Sequence, residues 1–227
     1  MKKSTCILSL LLSAITLSAQ PFESVTYKEF NQNYPPLECV GTVNVFPSGK
    51  VAAERWSVGY ECVDRGYARY SESGAYISQL GVSRARIQSG WARTEQKKGK
   101  YDYAWLDEVV DGIVSQNVKP WMCLGYGNPI YSSEVTLGAK IFTDEPTMKA
   151  WEKYVETTVA RYKGKVGLWE VWNEPNQKVN KDNPSTYTNL LVRTCEAIKR
   201  VDPEAKIAAF ALASVDARYL SHVLNDL

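Results

Sequence analysis

Histidine is almost absent from this chain: His222 is the only one in 227 residues. No Cys-x-x-Cys spacing occurs either, so a structural zinc site or a histidine-based catalytic pair is close to excluded. There is no Gly-x-Gly-x-x-Gly after any apolar run and no Walker-type Gly-Lys-Ser/Thr loop, which disfavours a nucleotide-dependent enzyme. No apolar run approaches the roughly 20 residues a helix needs to cross a bilayer. A charge excess is missing too: 27 Lys and Arg stand against 25 Asp and Glu. Without a basic or acidic field, neither nucleic acid nor an anionic membrane surface is an implied partner. Low-complexity runs and short repeats are also lacking. With 44% hydrophobic and 23% charged residues, the chain is neither disordered nor a disulfide-dense miniature.

The sequence does begin with a secretory pattern. Lys2 and Lys3 precede the 11-residue apolar run Ile7–Leu17, and Leu17-Ser18-Ala19 offers a small-residue exit. Residues 1–19 therefore read as a signal peptide and the mature chain as secreted or periplasmic. Cys6 lies ahead of the apolar run, which argues against a lipoprotein. Removing residues 1–19 leaves 25 basic and 25 acidic residues and four cysteines: Cys39, Cys62, Cys123 and Cys195. Four cysteines allow three pairings if the compartment oxidises them. Residues 20–55, with their Pro35-Pro36 pair, read as a leader before the main domain at 56–227.

From residue 56 onward, short apolar runs alternate with amphipathic helical stretches, the pattern of parallel βα units. Strands are expected at 57–62, 83–88, 119–125, 166–172 and 205–211. Helical stripes follow them, with Gly81 as a stop and Asp102, Asp144, Asn183 and Asp216 at helix starts. Trp105, Trp121 and Trp151 fall on these apolar faces and read as core, and His222 as a surface residue. By topology alone, five such units fit a doubly wound sheet or a (β/α)8 barrel equally well.

The fourth strand runs into Trp169-Glu170-Val171-Trp172-Asn173-Glu174-Pro175-Asn176. Pro175 cannot join a sheet ladder, so the strand ends there and presents Glu174 at its carboxyl end, where α/β folds assemble active sites. Nearby tryptophans can stack on sugar faces and lower the local dielectric around a carboxyl group. Glu170, inside the strand, demands a cationic partner if buried, and Arg86 is the candidate.

This segment resembles the acid/base signature of glycoside hydrolase clan A, the retaining (β/α)8-barrel glycosidases. Arg86 in RARIQSGW, the stretch GKYDYAWLDEVVDGIVSQNVKPW and Tyr126-Gly127-Asn128-Pro129 carry more of the same pattern. Within the clan the chain is most similar to family 39, then family 5. The resemblance implies a glycosidase that acts on poly- or oligosaccharides without a cofactor or metal. Glu174 would be the general acid/base, Asn173 a donor to the sugar 2-hydroxyl, and Arg86 the cation that orients the nucleophilic carboxylate. Trp91, Tyr126, Asn128 and Trp172 would contact substrate.

In this clan the nucleophile is a glutamate on strand seven, and the chain stops one helix after strand five. The resemblance therefore implies the first five βα units of a barrel, a partial sequence of a longer enzyme that ends at HVLNDL midway through a helix. Glu134 and Asp182 are the local acids that could stand in for a second carboxylate, and both read as solvated loop residues. The competing reading is a catalytically inactive, carbohydrate-binding half-barrel.

Overall fold

Alternating segments become strands, and longer amphipathic segments become helices that cover them. A computed structural model describes residues 41, 47–50, 56–132, 140–177 and 180–227. The signal sequence, most of the leader, Cys39 and Glu134 lie outside the described residues. Asn44–Leu227 form one compact unit.

Five strands make one sheet: β1 (Ser57–Gly59), β2 (Arg84–Gln88), β3 (Lys119–Leu124), β4 (Leu168–Val171) and β5 (Ile207–Ala208). Every neighbouring pair is parallel, and the spatial order β1-β2-β3-β4-β5 follows the chain order without reversal. A doubly wound sheet reverses its strand order at a switch point, whereas a barrel winds in one direction. The ambiguity left by the sequence is thereby resolved: these are five βα units of a (β/α)8 barrel.

Among the described residues six α-helices accompany the strands: α1 (Tyr70–Ser73), α2 (Trp91–Thr94), α3 (Ala104–Ser115), α4 (Glu145–Tyr162), α5 (Pro184–Val201) and α6 (Ala217–Asp226). None of the described helices is long and apolar enough to cross a membrane. Asp144 starts α4 as expected, its carboxylate accepting from the Thr147 amide at 2.9 Å, a cap worth about 1 kcal/mol. Asp216 accepts from the Tyr219 amide in the same way. Met148, Trp151, Tyr154, Val155, Val159 and Tyr162 on α4 are all buried, as their spacing predicts.

Several expectations are corrected. β1 stops at Gly59, three residues short of Cys62, and the helix expected before Gly81 is mostly a 3-10 segment, Gly74–Leu80. Gly81 does end it, at φ 66°, where a side chain would be strained. Asn183 stands just before α5, at its N-cap, but makes no side-chain cap bond. Val114 and Leu224 are exposed despite their helical spacing, and so is Leu227, which lies past the end of α6. Trp151 is in the core, but Trp105 and Trp121 are only partly covered. Cys62, Cys123 and Cys195 are thiols.

Candidate active site

The strands have two chemically different faces. Ala85 and Ile87 on β2, Met122 and Leu124 on β3, and Trp169 and Val171 on β4 are buried in the core beneath the helices. The alternate residues are Arg86, Trp121, Cys123, Glu170 and Ala208. Their register brings Arg86 beside Trp121, Cys123 beside Glu170, and Glu170 beside Ala208. Side chains in register on parallel strands share a face, so the polar residues collect on one side.

Arg86 organises that side. Its Nε donates to Glu170 Oε2 at 3.0 Å and its Nη2 to Glu170 Oε1, a two-pronged ion pair that fixes both planes. Nη2 also donates to Asn173 Oδ1 at 2.8 Å, and Nη1 donates to Glu61 Oε1 at 2.6 Å. The Glu170 side chain is 2% exposed, so the ion pair that the sequence demanded of it is present. Burial alone would lower the guanidinium's proton affinity. The hydrogen bonds the guanidinium donates to Glu170 and Glu61 and the charge of Glu170 outweigh burial and hold Arg86 above its ordinary value. Beneath the pair, burial pushes the Cys123 thiol well up, which makes it an unreactive filler.

The turn after β4 is held in an unusual backbone state. Trp172 and Glu174 have φ of 65° and 53°, and Asn173 lies between them. Each left-handed residue costs about 1–2 kcal/mol, so neighbouring structure must impose the turn. The Trp172 amide donates to Leu124 O at 2.9 Å and the Glu174 amide to Ala211 O at 2.7 Å. Tyr219 on α6 donates its hydroxyl to Pro175 O at 3.0 Å. Asn176 exchanges two hydrogen bonds with Ala213, Nδ2 donating at 3.0 Å and Oδ1 accepting at 2.8 Å. The indole of Trp172 meets Tyr126, Phe142 and Trp151 edge-on at centroid distances of 5.5–6.2 Å. Burying such an indole is worth about 3–5 kcal/mol, enough to offset the strain.

Two adjoining cavities flank this turn. One, of about 490 Å³, is lined by Arg86, Trp121, Glu170, Asn173, Glu174 and the segment 208–212. The other, of about 450 Å³, is lined by Glu61, Arg65, Arg86, Gln88, Tyr126, Asn173 and Glu174. Glu174 is exposed and makes no ion pair with any described residue, in contrast to Glu170 four residues earlier. Asn173 is anchored through its oxygen, and its side chain also reaches the Tyr126 hydroxyl at the cavity.

The sequence-predicted residues thus divide. Glu174, Asn173, Arg86 and Tyr126 come together at the cavities. Trp91, expected to contact substrate, is fully buried: its Nε1 donates to Glu95 Oε2 at 2.6 Å and its ring stacks on Tyr131 and Tyr154. Asn128 is 1% exposed, and its amide is consumed by Glu95 O and the Ile130 amide. Trp172 is 1% exposed and points into the aromatic core instead of over the carboxylate. Asp182 is exposed and lines neither cavity. Glu61, Arg65 and Gln88 were not anticipated. Arg65 Nη2 donates to Gln88 Oε1 at 2.7 Å, and Gln88 Nε2 donates to the Tyr126 hydroxyl at 3.3 Å. Glu61 and Gln88 stand two residues from Gly59 and Arg86, the spacing that puts strand residues on one face.

Comparisons with known proteins agree with this geometry. The sequence profile of glycosyl hydrolases family 39 matches residues 71–225. The chain is 25% identical over 151 residues to an aryl-phospho-beta-D-glucosidase, BglA, of Bacillus subtilis, a match covering 63% of this chain and 31% of the relative. It is 26% identical over 143 residues to a beta-xylosidase of Geobacillus stearothermophilus, covering 57% and 28%. The chain thus spans about a third of the length of these relatives. In fold it is similar to a family 39 glycoside hydrolase of Bacteroides cellulosilyticus, with TM-score 0.56 and 24% identity over 68% of this chain and 31% of that one. It is also similar to a family 39 enzyme of Xanthomonas axonopodis, with TM-score 0.58 and 20% identity over 81% and 40%. Five parallel strands in barrel order, a Glu-bearing turn after the fourth, and a family match over more than half its length make one conclusion: the chain belongs to glycosyl hydrolase family 39.

Proposed function

We propose that this chain carries the acid/base half of an exported glycosidase that hydrolyses O-glycosidic bonds of poly- or oligosaccharides with retention. The observation that carries the reading is the turn Trp172-Asn173-Glu174. It presents an unpaired carboxyl group at the cavity beside an amide whose oxygen is already fixed by Arg86. In the first step the Glu174 carboxylic acid gives its proton to the leaving glycosidic oxygen while a second carboxylate attacks the anomeric carbon. In the second, ionised Glu174 takes a proton from water as that water displaces the carboxylate. Asn173 Nδ2 donates to the 2-hydroxyl, a contact that strengthens as positive charge develops on the ring. The second carboxylate comes from a βα unit beyond the five present here, in keeping with the third of its relatives' length that this chain spans. Residues 1–19 support export.

The test is Glu174→Gln in the enzyme that includes the unit bearing the second carboxylate, on aryl glycosides of graded leaving group. Turnover of substrates with poor leaving groups is lost, activated ones retain a fraction, and binding survives. Unchanged turnover of poor leaving groups in Glu174→Gln overturns the reading. A wild-type enzyme that includes the unit bearing the second carboxylate, binds sugars and turns over none supports the binding half-barrel instead.

A further inference from the structure

Arg86 is held from two sides, and only one of them belongs to the motif that marks the site. Glu170 and Asn173 come from the β4 segment, whereas Glu61 comes from the end of β1 and takes the remaining nitrogen, Nη1, at 2.6 Å. Its place is built in. A Cβ on Gly59 would come within 2.7 Å of Glu61 Oε2 and 3.1 Å of Oε1, so the missing side chain at Gly59 is the space the carboxylate occupies. Glu61 also lines the same 450 Å³ cavity as Asn173 and Glu174.

We propose that Glu61 is a positioning residue: it holds the Arg86 guanidinium against Glu170, aims Nη2 at Asn173, and balances the charge that Glu174 faces. The inference rests on the reading of Glu174 as acid/base and adds a member from strand one. The charged and titratable groups around this cavity are Glu61 and Arg65 from the β1 end, Arg86 from β2, Tyr126 after β3, and Glu170 and Glu174 from the β4 segment. The lining contributed by 208–212 is uncharged. With Glu61 and Glu170 both ionised, Arg86 is more than balanced. Without Glu61, its charge favours the ionised form of Glu174, which cannot donate a proton.

Two variants test this in the enzyme that includes the unit bearing the second carboxylate. Glu61→Gln keeps a carbonyl oxygen for Nη1 and removes only the charge. Gly59→Ala keeps every charge and pushes the carboxylate off Arg86. In wild type, nitrogen NMR of Arg86 resolves separate Nη protons, because rotation is hindered on both sides. In Gly59→Ala the two Nη1 protons coalesce, while those of Nη2, still held by Glu170 and Asn173, stay resolved. The alkaline limb of the pH–rate profile moves to lower pH by about half a unit in Glu61→Gln and by less, in the same direction, in Gly59→Ala. An unmoved limb together with intact Arg86 resonances, while Glu174→Gln still abolishes turnover, overturns the role of Glu61 alone. If Glu174→Gln leaves turnover intact, the acid/base reading has failed. The Arg86 resonances then judge the contact by themselves, and resonances unchanged in Gly59→Ala overturn it.

Discussion

Arg86 and Arg193 each hold two glutamates, and they do different work. Arg86 joins Glu170 and Glu61 on the polar face of the sheet, with side chains 15%, 2% and 32% exposed. Arg193 on α5 joins Glu145 and Glu152 of α4 on the outer helical layer, and Arg200 extends that cluster to Glu152 and Glu156. The ion-pair chemistry is alike. What differs is the surroundings. Arg86 also fixes an amide, sits beside a backbone turn in a costly conformation, and borders a cavity. Arg193 ties two helices together in water. A cluster of opposite charges is therefore no sign of a site until burial and a cavity are added to it.

Breaking the inner cluster has the largest expected effect. Arg86→Met leaves Glu170 buried without a counter-charge and lowers stability by about 3–5 kcal/mol, read by urea unfolding. Arg86→Lys keeps the charge and loses the fork. It retains most of the stability while Asn173 is released, so sugar binding weakens. Equal losses from Met and Lys would mean that the charge alone stabilises nothing and that the fork's geometry carries the effect.

The second test concerns strain. Glu174→Gly removes the side chain from a φ of 53°, which only glycine adopts freely, and raises stability by about 1 kcal/mol while hydrolysis disappears. A destabilised Glu174→Gly would show that the clamps at Ala211 and Pro175 leave no strain to relieve.

The outer cluster sets the lower end of the comparison. Arg193→Ala lowers the melting temperature by about 2–4 °C or less and leaves the pH–rate profile where it was. A larger drop would make the α4–α5 ion pairs as structural as the inner ones.

The smallest effect is a pH dependence. Hydrogen bonds from Arg161 hold the Asp107 carboxyl below its usual range. A depressed folded-state value contributes stability above the unfolded value of about 4, and that stability is lost as pH falls through the folded one. The pair is largely solvated, so the contribution is under about 1 kcal/mol. Comparing wild type and Arg161→Ala from pH 6 to pH 2, the two unfolding curves converge at the acid end.

The helices α4, α5 and α6 were legible because each carries a start signal and a long apolar stripe. β1 and β5 were drawn too long, since an apolar run marks where a strand can form and only pairing marks where it ends. Of the site, Glu174, Asn173 and Arg86 could be read from one continuous segment and one strand. Trp91 and Trp172 were misassigned because an aromatic next to a catalytic-looking motif has the same spelling whether it faces sugar or core. Glu61 stayed invisible for a different reason: its importance comes from Arg86, 25 residues away.

The sequence by itself determined the alternation of strand and helix and the family, and it carries the motif on which the proposal for Asn173 and Glu174 rests. These follow from local periodicity and from one short motif. Only the tertiary structure decided that the sheet winds in barrel order, that Trp91 and Trp172 are core, and that Glu61 completes the Arg86 cluster. The reason is physical: register and burial depend on which segments meet across space, and that information is spread over pairs of residues far apart in the chain.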